Sequence, residues 1–170
     1  MIGVYINGIT GNMGQIAKRA IEKTADIQVV GGGYTSNQKY QEANKNSVDV
    51  VIDLTSSEVI MQHIPWLIEQ GKPILIGTSG ITAERQQLIR TLVDTHGTTC
   101  WVVPNFSIGA NLMMQFSALA AKYYNTSLII ERHHSKKKDA PSQTALHTAH
   151  MIQTNTCHTK IESIRDDDYI

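Results

Sequence analysis

Residues 3–14, GVYINGITGNMG, decide the fold: Gly3 to Asn7 is an apolar run that reads as a strand, glycines follow at 8, 11 and 14, and Met13 opens a helix-period segment reaching Lys23. A strand that turns directly into a helix through spaced glycines is the first step of a parallel α/β unit. Gly8 permits the tight turn, Gly11 lets backbone come close to a pyrophosphate, and Gly14 lets the helix pack against the strand. The helix amino end then offers free N–H groups and a partial positive charge to phosphate oxygens. The spacing, Gly-x-x-Gly-x-x-Gly, is a variant of the dinucleotide-binding fingerprint, and a purely structural tight turn is the alternative it competes with.

Outward from that turn the same rhythm repeats. Strand-like runs at Ile27 to Gly31, Val48 to Leu54, Ile74 to Gly77 and Thr99 to Val103 alternate with helical segments at Ser57 to Gln70, Thr82 to His96 and Asn111 to Tyr123. Ile60, Ile64, Leu67 and Ile68 make one apolar stripe at three-to-four spacing, as a helix lying on a sheet requires. The expected class is α/β, a Rossmann-like doubly wound parallel sheet over residues 1–110. The polar stretch from Tyr34 to Ser47 reads as a shortened connection, and Tyr34 as a surface for adenine to stack on. Residues 31–36, GGGYTS, carry neither the acid that grips the ribose of NAD nor a base for the phosphate of NADP. NADH and NADPH therefore both stay open.

Residues 111–170 read as a smaller, incomplete α+β domain, with strands expected at Leu128 to His133 and Ile161 to Arg165 and a helix at Ser142 to Gln153. Between them, residues 131–146, ERHHSKKKDAPSQTAL, place two imidazoles and three ammonium groups beside a helix entrance. A packed core avoids that charge, so the stretch reads as a site for a small anion, with a solvated basic loop as the plainer alternative. Pro141 suits a first helical turn. Two further loops, Gly77-Thr78-Ser79-Gly80 and Pro104-Asn105-Phe106-Ser107-Ile108-Gly109, follow strand ends, where open α/β sheets hold ligands, and together outline a cleft. The first is expected to offer backbone and hydroxyl contacts to a nicotinamide ribose.

Composition narrows the partners. The 170 residues carry 15 basic and 15 acidic side chains and are 41% apolar, enough for a core and without a global field to draw nucleic acid or an anionic membrane. No arginine cluster or aromatic platform supports nucleic-acid binding. No basic leader and no membrane-length apolar run is visible, and Cys100 and Cys157 are widely spaced, so a cytoplasmic protein with reduced thiols is expected. His147 and His150 share a helix face without an acidic or thiolate partner and read as surface or packing residues, and no metal is expected. Met113 and Met114 read as core packing, and Asp166 to Asp168 as a solvated end.

Assembled in order, GITGNMG, VIDLTS, GTSG, PNFSIGAN and ERHHSKKKDAPSQTAL resemble the 4-hydroxy-tetrahydrodipicolinate reductase (dihydrodipicolinate reductase) family from residue 1 to about residue 165. The resemblance implies NAD(P)H-dependent reduction of a small cyclic dicarboxylate in lysine and diaminopimelate biosynthesis, and assembly into a homo-oligomer, a tetramer. It makes His133 the proton donor or acceptor and Lys137 the catalytic lysine. It puts substrate contacts on His134, Gln143 and Thr144, with Asp139 to Pro141 shaping the loop. Cofactor contacts would fall on Gly8, Ile9, Thr10, Gly11, Asn12 and Met13, on Gly77, Thr78 and Ser79, and on Val103, Pro104, Asn105 and Phe106. Asn12 stands where the family often has arginine, Gln143 stands where it has glycine, and members of the family are longer. Gln143 together with the early end at Ile170 motivates one alternative, a catalytically silent nucleotide-binding homologue or scaffold, and the runner-up enzyme is a Rossmann reductase acting on another small carboxylate.

Overall fold

The computed structural model describes residues 1–33, 47–153 and 157–168. The chain forms two compact units, Met1–Val103 and Pro104–Ile170. The division falls before residue 110 because the Pro104–Ile108 turn leads straight into a helix of the second unit, and Asn105 Nδ2 donates to Thr144 Oγ1 there at 3.2 Å. The shortened connection read at Tyr34 to Ser47 and the stacking role given to Tyr34 fall almost wholly on residues 34–46, outside the described residues.

The first unit is a five-stranded parallel sheet in the order β2-β1-β3-β4-β5. Its strands are β1 (Ile2–Asn7), β2 (Ile27–Gly33), β3 (Val50–Asp53), β4 (Ile74–Ile76) and β5 (Cys100–Val102), with helices α1 (Asn12–Ile21), α2 (Ile60–Glu69) and α3 (Ala83–His96). Central β1 is buried from Gly3 to Asn7, as a parallel strand covered on both faces must be. The α2 stripe is the heart of the core: Ile60, Ile64, Leu67 and Ile68 are fully buried with Val51, Ile74 and Ile76. Each contributes about 1.5–3 kcal/mol of apolar burial. Helix α3 starts where the Thr82 hydroxyl accepts from Arg85 N at 3.3 Å and stops at Gly97, whose φ of 61° only glycine adopts easily.

The second unit comprises α4 (Ile108–Ala120), a 3-10 turn at Ala121–Tyr123, β6 (Thr126–His133), α5 (Gln143–Ile152) and β7 (His158–Arg165). Strands β6 and β7 pair in parallel, His133 opposite Arg165, so α5 is their crossover. Helix α4 begins three residues before Asn111 because Ser107 caps it, its hydroxyl accepting from Ala110 N at 3.3 Å. Pro141 lies outside α5: Ser142 is the cap, its hydroxyl accepting from Ala145 N at 3.2 Å, and the helix opens at Gln143. Met114 packs in the interior, but Met113 is half exposed. Asp167 and Asp168 are exposed, as a solvated end is, but Asp166 and Asp167 are also held by partners. Asp166 pairs with Arg132 at 3.0 Å, and Asp167 accepts from the Ser135 N–H at 3.0 Å and hydroxyl at 2.6 Å, tying the chain back onto the loop after β6.

Candidate functional site

The turn after β1 has the form that phosphate binding asks for. Gly8 has φ 85°, and a Cβ there would meet the Leu54 carbonyl oxygen at 2.6 Å, so only glycine fits. Gly11 N donates to Gly8 O at 3.0 Å, and the Gln15 side chain donates to Ile9 O at 2.7 Å, pinning the loop to the helix it opens. Helices α3, α4 and α5 each start with a side-chain cap; α1, at Gly11, and α2, at Val59, start without one. Thr10, Gly11, Asn12 and Met13 at the start of α1 are all exposed.

Beneath this turn lies a polar cluster that the sequence reading missed. The pairing of Asn7 with Asp53, 46 positions apart, brings both to one end of the sheet. Asn7 Nδ2 donates to Asp53 Oδ2 at 2.6 Å and lies 3.0 Å from His63 Nδ1. Asp53 Oδ1 accepts from the Thr55 hydroxyl at 2.8 Å and the Thr78 hydroxyl at 2.6 Å. Burial lowers the His63 pKa, against the opposing pull of Asp53, and favours its neutral ring. This changes one expectation. Thr78 is buried with its hydroxyl committed to Asp53, so of the Gly77, Thr78 and Ser79 loop it is exposed Ser79 that keeps a free-facing hydroxyl. The visible signal was VIDLTS itself, an acid closing an otherwise apolar strand.

In the second unit, a cavity of about 600 Å³ opens among α4, α5 and β6, and His133, Thr144, Asn105, Glu131 and Ser142 line it. The period of two along β6 puts Glu131 and His133 on one sheet face. Glu131 is buried. Its Oε1 accepts from Ser142 N at 3.2 Å and from Arg165 Nη2 at 2.6 Å, and its Oε2 lies 2.9 Å from His133 Nε2. Burial alone would raise this carboxyl, but hydrogen bonds from Ser163, Arg165 and Ser142 outweigh it and hold the pKa down at about 2. Arg165 Nη2 also donates to Asp139 O at 2.6 Å, fixing the loop after the lysines.

Lys137, His134 and Gln143 do not line this cavity. Lys137 Nζ donates to Asp139 Oδ1 at 2.8 Å, which lowers the Asp139 pKa, and Lys137 N donates to His134 O at 3.1 Å. His134 and Gln143 are exposed. Phe106 is exposed, while Asn105 turns inward, its Oδ1 accepting from Ser107 N at 2.8 Å. Val103 and Pro104 flank the division between the units. Cys100, half-buried, has its thiol pushed up to about 11 by burial, as expected of a packing residue. Among the described residues no group of His, Cys, Asp or Glu is arranged for a metal ion, and no helix is long and apolar enough to cross a membrane.

Comparison with known proteins identifies the family. A family model described as "Dihydrodipicolinate reductase, N-terminus" matches residues 2–106, and one described as "Dihydrodipicolinate reductase, C-terminus" matches residues 109–170. The chain is 38% identical over 165 residues to the 4-hydroxy-tetrahydrodipicolinate reductase of Coxiella burnetii (strain RSA 493 / Nine Mile phase I), covering 97% of this chain and 69% of that protein. Identity to the Thermobifida fusca enzyme of the same name is 36% over 167 residues, covering 98% and 67%. Among solved structures, the dipicolinate-bound dihydrodipicolinate reductase from Paenisporosarcina sp. TG-14 superposes with a TM-score of 0.73 at 30% identity, covering 100% of this chain and 80% of that one. A putative myo-inositol dehydrogenase from Sinorhizobium meliloti 1021 has a TM-score of 0.75 at 13% identity, covering 99% and 70%, a likeness of fold alone.

Proposed function

The chain belongs to the dihydrodipicolinate reductase family, and we propose that it carries out the family's reaction with His133 as proton donor and Lys137 as the catalytic lysine. The activity is that of 4-hydroxy-tetrahydrodipicolinate reductase, an NAD(P)H-dependent oxidoreductase at a step of lysine biosynthesis. The observation that carries the assignment of His133 is the cavity that it shares with Thr144 and Asn105 at the entrance to α5, and Lys137, outside that cavity, is assigned from the resemblance.

The nicotinamide cofactor, when bound, supplies the hydride. The uncapped amino end of α1 fits its pyrophosphate, and we assign that contact to Gly8, Ile9, Thr10, Gly11, Asn12 and Met13, with Ser79 and the Gly77 and Thr78 backbone meeting a ribose. We assign Val103, Pro104, Asn105 and Phe106 to the same cofactor. The positions after β2 that distinguish NADH from NADPH, 34–36, lie outside the described residues.

Reduction of a conjugated imine leaves a site that must be protonated, and an imidazole can donate near neutral pH. His133 closes β6, so the sheet holds the donor in place. The substrate's carboxylates are anions. Thr144 offers a hydroxyl, the first turn of α5 offers the N–H groups of Gln143 and Thr144, and we give Lys137 and His134 the remaining charge. Release of Lys137 from Asp139 accompanies binding in this reading.

We further propose several copies assembling as a tetramer in the cytoplasm. Exposed Phe116, Leu119, Leu128 and Ile130 support the first, and the free thiols of Cys100 and Cys157 the second. The test is NADH or NADPH oxidation with freshly generated 4-hydroxy-tetrahydrodipicolinate. His133→Gln and Lys137→Ala should each lower kcat/KM by about 10²-fold or more. Full turnover in both variants overturns the assigned roles. Cofactor binding without turnover in the unmodified chain favours the silent homologue, for which exposed Gln143 at the head of α5 is the supporting observation.

A further inference from the structure

We propose that Arg85 is a positioning residue for the nicotinamide cofactor: by tying the loop after β3 to the loop after β4, it holds Ser79 in place for a ribose. This rests on reading Gly77, Thr78 and Ser79 as the ribose contact, and it adds a residue that lies outside the motifs behind that reading.

Arg85 is the third residue of α3, where a positive charge opposes the positive end of the helix's own dipole. Two backbone carbonyls offset that cost. Arg85 Nη1 donates to Gly80 O at 2.7 Å and to Ser57 O at 2.9 Å, and this nitrogen has a hydrogen for each. Gly80 belongs to the loop between β4 and α3, and Ser57 to the segment between β3 and α2. The two backbones touch at this point. Gly80 has φ 81°, and a Cβ on it would lie 2.6 Å from Ser57 Cβ, so the approach needs glycine.

The same two loops are joined a second time at the strand ends. Asp53 Oδ1 accepts from the Thr55 hydroxyl at 2.8 Å and from the Thr78 hydroxyl at 2.6 Å. Exposed Ser79 therefore stands between two fixed neighbours, Thr78 held by Asp53 and Gly80 held by Arg85. The two ties differ in depth. Asp53 and Thr78 are buried, whereas Arg85 and Gly80 are half-buried at the rim. Cutting the rim tie leaves the inner one to hold the sheet end together and frees the backbone at Ser79 and Gly80. A residue that has to be ordered again on binding lowers affinity by roughly tenfold, through the backbone entropy it gives up.

The experiment is calorimetric titration of the full chain with NADH and with NADPH, together with amide hydrogen exchange at residues 77–81 and steady-state turnover of the dicarboxylate. Arg85→Ala should raise the cofactor Kd and KM about tenfold, quicken exchange at residues 77–81, and leave kcat at saturating cofactor within about twofold. Arg85→Lys should keep Kd within about threefold of the parent, because both bonds leave one nitrogen and an ammonium has donors for both carbonyls. Should Arg85→Ala fail to fold, Arg85→Met, which keeps an apolar stem and loses the donors, carries the same comparison. Ser79→Ala separates the two readings. Weakened cofactor binding in Ser79→Ala with parental Kd in Arg85→Ala overturns the positioning role and leaves the ribose contact standing. Quickened exchange in Arg85→Ala with parental Kd in both variants overturns the ribose reading, and the proposal with it. A lower Tm in Arg85→Ala with exchange and Kd unchanged makes Arg85 structural only, which also overturns the proposal.

Discussion

Two alanine substitutions in the turn after β1 should have separable effects, one on stability and one on affinity. At Gly14 a Cβ would be driven against the Gly8 carbonyl oxygen and would lie 2.7 Å from Ile9 Cα and 2.9 Å from the Gly8 carbonyl carbon. All three are backbone atoms of a turn fixed by Gly8 and by the Gln15 side chain, so no rotamer change relieves the overlap. The first turn of α1 has to back away by on the order of 1 Å, and overpacking of this kind costs about 1–3 kcal/mol. Alanine's better helix propensity offsets up to about 1 kcal/mol. A net loss of about 1–2 kcal/mol corresponds to a fall of roughly 5–10 °C in Tm for a unit of this size. At Gly11 a Cβ meets only the Gly8 oxygen, at 3.3 Å, and otherwise faces open space. Gly11→Ala should therefore fold with Tm within about 3 °C of the parent, yet put a methyl where a pyrophosphate must approach. Its cofactor affinity should drop about tenfold or more, or about 1.4 kcal/mol. The assays are thermal unfolding followed by circular dichroism and calorimetric titration with NADH and NADPH. Parental affinity in Gly11→Ala refutes the phosphate-cradle reasoning, and a parental Tm in Gly14→Ala refutes the packing argument.

Two more outcomes follow from the second unit. The Glu131 carboxyl has its pKa depressed from 4.5 to about 2 by its donors, so its stabilisation is complete above pH 4.5 and is lost as pH falls from there towards 2. The shift has an upper bound of about 3 kcal/mol, reduced to about 1–2 kcal/mol by solvent screening. Urea midpoints measured between pH 5 and pH 3 should fall more steeply in the parent than in Glu131→Gln; parallel slopes would remove Glu131 from the acid response. Gln143→Gly opens the head of α5 at a helix-propensity loss of up to about 1 kcal/mol, and KM for the dicarboxylate should fall several-fold. An unchanged KM there would mean that the exposed glutamine does not obstruct the substrate.

What was legible in the chain was local. The glycine turn, the α2 stripe and the alternation of strand and helix could all be read because each depends on residues within a few positions of one another. Caps moved the boundaries: Ser107 starts α4 ahead of its apolar pattern, and Ser142 leaves Pro141 outside α5. What escaped depends on strand register. Asn7 meets Asp53 because β1 pairs with β3, and Asp53 in turn takes the Thr78 hydroxyl that the loop's sequence had offered to a ligand. Asp166 and Asp167, unremarkable at the end of a string, return to Arg132 and Ser135 because β7 runs beside β6.

Glu131 shows why register matters to the chemistry as well as to the fold. Within ERHHSKKKDAPSQTAL it is one acid heading a basic run, and composition alone allows it to be a solvated counter-charge. Pairing β6 with β7 puts Arg165 opposite His133, and the crossover through α5 returns Ser142 to the same point, so one carboxylate ties together a strand end, a helix entrance and the neighbouring strand. Each partner has its own reason to need it. Arg165 is largely buried and would otherwise be a poorly compensated charge, a loss of about 3–5 kcal/mol when a buried pair is broken. The Ser142 N–H lies at a helix entrance and would otherwise be a buried donor without a partner. Both demands are met on Oε1, while Oε2 is buried 2.9 Å from His133 Nε2 without a hydrogen bond. The basic run is held in place because one oxygen of its buried acid joins the helix entrance to the neighbouring strand.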